Sequence, residues 1–196
     1  MRSRGVAALT TREIARQAGC SDGALYVHFA DKAHLLTAVC ERWVPDLIAA
    51  TGDLVNRVGA GTVAGNLEDI ALASLEAFAE MAPLSYAIGG DPELLACHRA
   101  IVRARKMGPK RSVGAVRDYL GAEQRVGRVR ADASIEVAAS MLTGSCWHRA
   151  AARHYFGEDV VPVDDATYAA QLAQTLAAAL EPTTTGTERQ PDGGRA

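Results

Sequence analysis

The four cysteines of this chain, Cys20, Cys40, Cys97 and Cys146, lie far apart and form no C-x-x-C pair. They are expected to be reduced, buried thiols that act as small apolar fillers in a cytoplasmic protein. Cys97-His98 and Cys146-Trp147-His148 bring soft ligands together in sequence. Side chains one or two residues apart on a helix point in different directions, however, so no metal site is expected. A signal peptide is lacking, and no apolar run reaches the roughly 18 residues of a membrane span. Charge of one sign is lacking too: a net charge of −2 is too balanced for a protein that coats nucleic acid along its whole surface. The five histidines are scattered, with no nucleophile–base spacing and no Gly-rich phosphate loop, so neither an enzyme nor a bound cofactor is expected. Internal repeats and convincing strand-like alternation are absent as well.

What is present is helical. Hydrophobic residues make up 48% of 196 residues, enough for one or two domains with a proper core. Residues 10 to 32 read as two short helices joined by a tight turn, with a third helix following. Thr10 and Glu13 form a capping box, and Leu9 and Ile14 occupy the two positions of a hydrophobic staple. Gly19 ends the first helix in the left-handed conformation. Ser21 caps the second helix, and Asp31 is placed to cap a third that begins at Lys32. Ile14, Ala15 and Ala18, then Leu25 and Phe29, then Leu35, Leu36 and Val39 line one side of each helix in turn. Asp22, Gly23, Ala24, Tyr26, Val27 and His28 remain outside on the second helix, a compact polar face sized for a DNA groove. The charge is uneven in the same sense. Residues 1–43 hold six Arg or Lys against four Asp or Glu, and the remainder holds fifteen against nineteen.

The runs Leu-Thr-Thr-Arg-Glu-Ile-Ala, Ala-Gly-Cys-Ser-Asp-Gly-Ala-Leu-Tyr-Val-His-Phe and Asp-Lys-Ala-His-Leu-Leu resemble the DNA-binding segment of TetR-family transcriptional repressors over about residues 5 to 43. The Tyr-x-x-Phe-x-x-Lys ending is the most specific part. Tyr119 to Gln124 and Gly127 to Asp132 resemble, more loosely, the lead-in to the late helices of that family. The resemblance implies an all-α protein, with a helix-turn-helix domain over 1–43 and a helical ligand-binding and dimerisation domain over 44–180; the tail over 181–196, rich in Thr, Gly, Pro and charge, is expected to be disordered. It implies a homodimeric regulator, a repressor released by a small-molecule effector, that binds a palindromic double-stranded operator.

Residue by residue, the family pattern places Thr10, Thr11 and Arg12 at a helix start that meets phosphate, with Arg12 alternatively reaching a guanine edge. Ser21, Tyr26 and Lys32 are assigned to the DNA backbone. Asp22, Gly23, Ala24, Val27 and His28 face the groove as base readers. Asp22 departs from the basic or neutral groups many relatives carry there; it either accepts from cytosine N4 or stabilises the helix N-terminus. Gly23, Ala24 and Val27 are small, so direct readout is sparse and DNA shape is expected to contribute. Only Met1-Arg2-Ser3-Arg4 precede Gly5, too few for more than about one turn. The helix that opens such a domain is therefore expected to be missing, through a misassigned start or a real deletion. In-frame codons upstream are expected to encode it. A real deletion would instead leave a dimeric helical ligand-binding protein with impaired DNA binding.

Beyond Trp43, a break is expected near Pro45. A helix capped by Thr62 is expected to run through Ile70, Leu72, Leu75, Phe78 and Met81 until Pro83. Gly89-Gly90-Asp91-Pro92 reads as a loop, followed by helices over about 92–106, 110–126, from Asp132 or Ser134 through Phe156, and from Asp164 or Asp165 to about Leu180. Tyr168, Leu172, Leu176 and Leu180 recur every four residues. Ala138, Met141, Leu142 and Ser145 belong to a helix apolar over more than one face. Such a helix is buried either by its own core and a partner subunit or by lying central in one subunit; the resemblance favours the dimer interface for all eight residues. The basic run Arg103 to Arg111 reads as a solvated face or an anionic-ligand portal rather than a second DNA contact. Phe78, Met81, Tyr86, Met107, Tyr119 and Trp147 are the candidates for a largely apolar effector pocket, and equally for plain core.

Overall fold

The computed structural model describes residues 10–39, 53–105 and 108–182, and among them every regular element is helical. Helix α1 (Thr11–Gln17) opens on the expected capping box, with the Thr10 hydroxyl accepting from the Glu13 amide and the Glu13 carboxylate accepting from the Thr10 amide. It closes on Gly19 at φ +70°, where the Cys20 amide reaches back to the Ala15 carbonyl and the Gly19 amide to that of Arg16. This pair of bonds is the Schellman closure that a left-handed glycine permits. Helix α2 (Asp22–His28) is capped by the Ser21 hydroxyl, which accepts from the Ala24 amide. Helix α3 covers 32–39, with the His34 amide donating to Asp31 at 2.8 Å. That bond holds the Asp31 carboxyl below its usual range. Ile14 and Leu35 form a small core, against which Leu25 and Phe29 pack.

After a 3-10 turn (Asp53–Arg57), which plants Leu54 in the main core, come α4 (Val63–Gly89), α5 (Pro92–Ala104), α6 (Pro109–Arg125), α7 (Ile135–Phe156) and α8 (Asp165–Leu180). Thr62, Asp91 and Asp164 cap α4, α5 and α8 through side-chain oxygens. Ser134 rather than Asp132 stands at the N-cap of α7, without a side-chain bond. Helix α4 packs along α7 and α8, and α6 packs along α7. Their shared core is rich in alanine: Ala71, Ala82, Ala139, Ala169 and Ala173 are fully buried, which lets the helix backbones approach closely.

Three expectations are corrected. Helix α4 does not stop at Pro83 but continues to Gly89. Proline removes one backbone bond, yet Ala82, Leu84 and Ile88 are buried on either side of it, and their packing keeps the helix going. The described cysteines are not uniformly buried: Cys20 and Cys97 are exposed, whereas Cys146 is enclosed, where burial pushes its thiol up to about 12. The Leu172–Leu180 stripe does not face outward as a whole, because Leu176 and Leu180 sit in the chain's own core. The expectations about the residues before Gly5, the Leu9 staple, Cys40, Pro45, Met107 and the tail beyond Pro182 lie outside the described residues.

Candidate nucleic-acid interface

The α1–α2 unit holds its second helix with one side on the small core and the other open. Val27 is 79% and Tyr26 51% exposed, and Gly23 and His28 are exposed beside them, while Ala24 is half-buried. The Tyr26 hydroxyl lies 3.1 Å from the Thr11 hydroxyl, which ties the middle of α2 to the first turn of α1. Thr10 and Arg12 are exposed at that same first turn. Thr10, Thr11, Arg12 and Tyr26 are thus brought to one edge of the unit. Ser21 and Thr10 each use a hydroxyl lone pair on a cap. Lys32, half-buried, begins α3 just after the Asp31 cap. Asp22 begins α2. The surface offers helix N-terminal amides, hydroxyls and cations around a patch of small side chains.

This unit is joined to the larger body through α3. Leu36 packs against Leu84 and Ile88 of α4, with Leu94 and Leu95 of α5 alongside. The Thr37 hydroxyl, which donates to the Ala33 carbonyl at 2.7 Å, lies 3.1 Å from Nδ1 of His98 on α5. With its only hydrogen directed at Ala33, Thr37 accepts from an Nδ1–H of His98. Partial burial lowers the His98 pKa and so favours the neutral ring. These two residues, 61 positions apart, carried no sequence signal of their meeting.

The six pocket candidates are not all brought together. Phe78 meets Trp147 edge-on at 5.6 Å, with Met81 bordering the same core. Tyr119 is fully buried and accepts from Asn66 at 2.9 Å, and burial pushes its hydroxyl up to about 12. Tyr86 is exposed at the far end of α4, where it stacks on His154 and Tyr155 of α7. Of the interface candidates, Ala138 and Leu142 join Leu176 and Leu180 in the core, whereas Met141 is 54% exposed. Ser145, Tyr168 and Leu172 are half-buried, and the Arg149 guanidinium covers the Tyr168 ring at 4.5 Å. Arg103, Arg105, Lys110 and Arg111 are exposed around the α5–α6 connection.

Two buried polar clusters escaped sequence reading. Glu123, fully buried, accepts from the Gly59 amide and faces Arg128 at 3.5 Å, while Arg128 itself donates to the carbonyls of Ala60 and Gly61. Arg149, 2% exposed, donates to Asp165, Asp159 and the carbonyls of Val161 and Val163; Arg153 pairs with the same two aspartates. Glu123 and Arg128 meet Gly59, Ala60 and Gly61 from more than sixty residues away, and Arg149 meets Asp159 and Asp165 across the α7–α8 connection, so neither cluster left a local pattern in the sequence. Among the described residues no group of His, Cys, Asp and Glu could hold a metal ion, and no helix is long and apolar enough to cross a membrane.

Residues 1–39 match the model of the bacterial regulatory proteins of the tetR family. Among curated proteins no sequence match is found. Solved structures match over nearly the whole chain. The ketosteroid transcriptional regulator KstR2 of Mycobacterium tuberculosis is 22% identical, covers 91% of this chain and 87% of its own, and has a TM-score of 0.60. FadR of Bacillus subtilis, solved with stearoyl-CoA, is 15% identical with coverages of 88% and 89% and a TM-score of 0.63. The TetR-family regulator PfmR of Thermus thermophilus is 19% identical with coverages of 87% and 88% and a TM-score of 0.58. At these identities the likeness is one of fold.

Proposed function

We propose that the protein is a TetR-type transcriptional regulator, a homodimeric repressor released from a palindromic operator by a small molecule; the tetR-family segment at residues 1–39 and the helical fold shared with solved regulators along the chain support this reading. The observation that carries the DNA reading is the open face of α2, which presents Val27, Tyr26 and His28 beside the first turn of α1. In this reading residues 1–43 bind DNA, and 44–180 bind the effector and the second subunit. Thr10, Thr11, Arg12, Ser21, Tyr26 and Lys32 grip phosphates, while Asp22, Gly23, Ala24, Val27 and His28 face base edges. The protein catalyses no reaction.

The dimer face is the outward stripe of α7 rather than the inward leucines. Val137, Met141, Gly144 and His148 are exposed at spacings of four, three and four residues, the repeat with which a helix seats a second helix. A two-fold dimer presents two copies of α2 about one duplex turn apart or a multiple of it. The test is selection from random DNA, with sedimentation of the recovered complex. An enriched, roughly palindromic sequence bound by two chains is expected. Equal affinity for all sequences would overturn the regulator reading.

A further inference from the structure

Among the described residues of the larger body, two buried side-chain polar atoms lack a hydrogen-bond partner, Arg130 Nε, which lies 3.5 Å from the Asp132 carboxylate, and Ser74 Oγ, which faces no charged group in the contacts above. Ser74, midway along α4, is 0% exposed, and its hydroxyl has no hydrogen-bond partner among the described residues. Buried hydroxyls are nearly always paired, so an orphan of this kind is free to receive a polar group from outside the chain. Where it points follows from helix geometry, in which each residue turns by about 100°. Phe78, which meets Trp147, marks the direction of α7, and Asn66, which donates to Tyr119, marks that of α6. Ser74 projects between the two, about 40° from Phe78 and about 80° from Asn66. The same sector of α4 carries Ile70, Ala77 and Met81, all apolar. Val116 and Leu120 of α6 are buried in the same core. The buried carboxylate nearest along α6, Glu123, is already taken by the Gly59 amide and Arg128. Met81 and Trp147, both partly exposed, border this core where Phe78 meets it, and the unbranched Met81 can swing aside.

We propose that Ser74 is the polar anchor of a ligand site between α4, α6 and α7, and that the site takes a compact, neutral, mostly apolar molecule bearing one carbonyl or hydroxyl. An apolar lining with a single buried hydroxyl fits no charged ligand, and it discriminates by whether that hydroxyl finds a partner. Taking this molecule as the effector rests on the regulator reading above; the binding itself does not.

The test uses three probes of similar size, toluene, benzyl alcohol and acetophenone, titrated into the full-length protein by ligand-observed NMR. Trp147 fluorescence in a Trp43→Phe background is followed in parallel. Wild type should bind benzyl alcohol or acetophenone about threefold to tenfold more tightly than toluene, the range of one net hydrogen bond. Ser74→Ala should abolish that difference while keeping toluene binding and leaving the melting temperature unchanged or raised. Ser74→Thr should restore it. No binding by any probe, or an unchanged preference in Ser74→Ala, overturns the site. Operator affinity measured on the same samples separates the two readings: sequence-indifferent DNA binding sinks the regulator reading whatever the probes do.

Discussion

At the scale of single residues, the proposed DNA surface is read as groups that hold and groups that read, and each has its own expected mutational signature. Lys32 begins α3 just outside the α2 face, so Lys32→Ala should weaken binding to every sequence alike. It should also make the salt dependence shallower by about 0.9, the share of one neutralised phosphate. His28 lies on the open face of α2; His28→Ala should shift base preference at a cost of about 1–3 kcal/mol if it pairs well with a base edge. Salt titration and repeated selection on random DNA check both. A change of base preference in Lys32→Ala, with none in His28→Ala, would reverse the assignment. Thr10 has a separate duty, since its hydroxyl accepts from the Glu13 amide. Thr10→Ala should cost about 1 kcal/mol of stability, read from denaturant unfolding.

At the scale of elements, caps were legible and coverings were not. Thr10, Ser21, Asp31, Thr62 and Asp164 announced helix starts because a cap joins residues two or three apart, written locally in the chain. Pro83 misled because local backbone cost was outweighed by burial contributed from distant helices. The four-residue stripe of α8 correctly marked an apolar face. Periodicity cannot say whether that face meets its own chain or another, and here Leu176 and Leu180 face inward. The consequence is testable by analytical ultracentrifugation. Met141→Glu, on the exposed stripe of α7, should yield a folded monomer, whereas Leu176→Glu should fail to fold because it buries an unpaired charge. A Met141→Glu protein that remains dimeric at micromolar concentration would place the interface elsewhere. The same limit hid Thr37–His98 and the Arg149 cluster, whose members meet only after the chain has turned back on itself.

At the scale of the whole molecule, the arginine cluster sets the response to acid. The Arg153 and Arg149 guanidiniums hold Asp165 below its ordinary carboxyl value of 3.8. A carboxylate lowered in the folded state contributes stability above its unfolded pKa, and that contribution is lost as pH falls through the folded value. Melting temperature should therefore fall below about pH 4, and Asp165→Asn should be less stable at pH 7 and show a shallower acid limb. A parallel acid limb in the variant would assign the loss to other carboxylates. The cluster should also hold the last two helices together once the covalent link between them is cut. Gly157, in the left-handed conformation at φ +78°, ends α7 on the surface. Beyond it Arg149 and Arg153 grasp Asp159 and Asp165, and α8 sinks Ala169, Ala173, Leu176 and Leu180 into the core. A protease site placed at Gly157 should thus yield a nicked protein whose two pieces co-elute under native conditions and separate only in denaturant, with α8 behaving as a peptide bound by the rest of the fold.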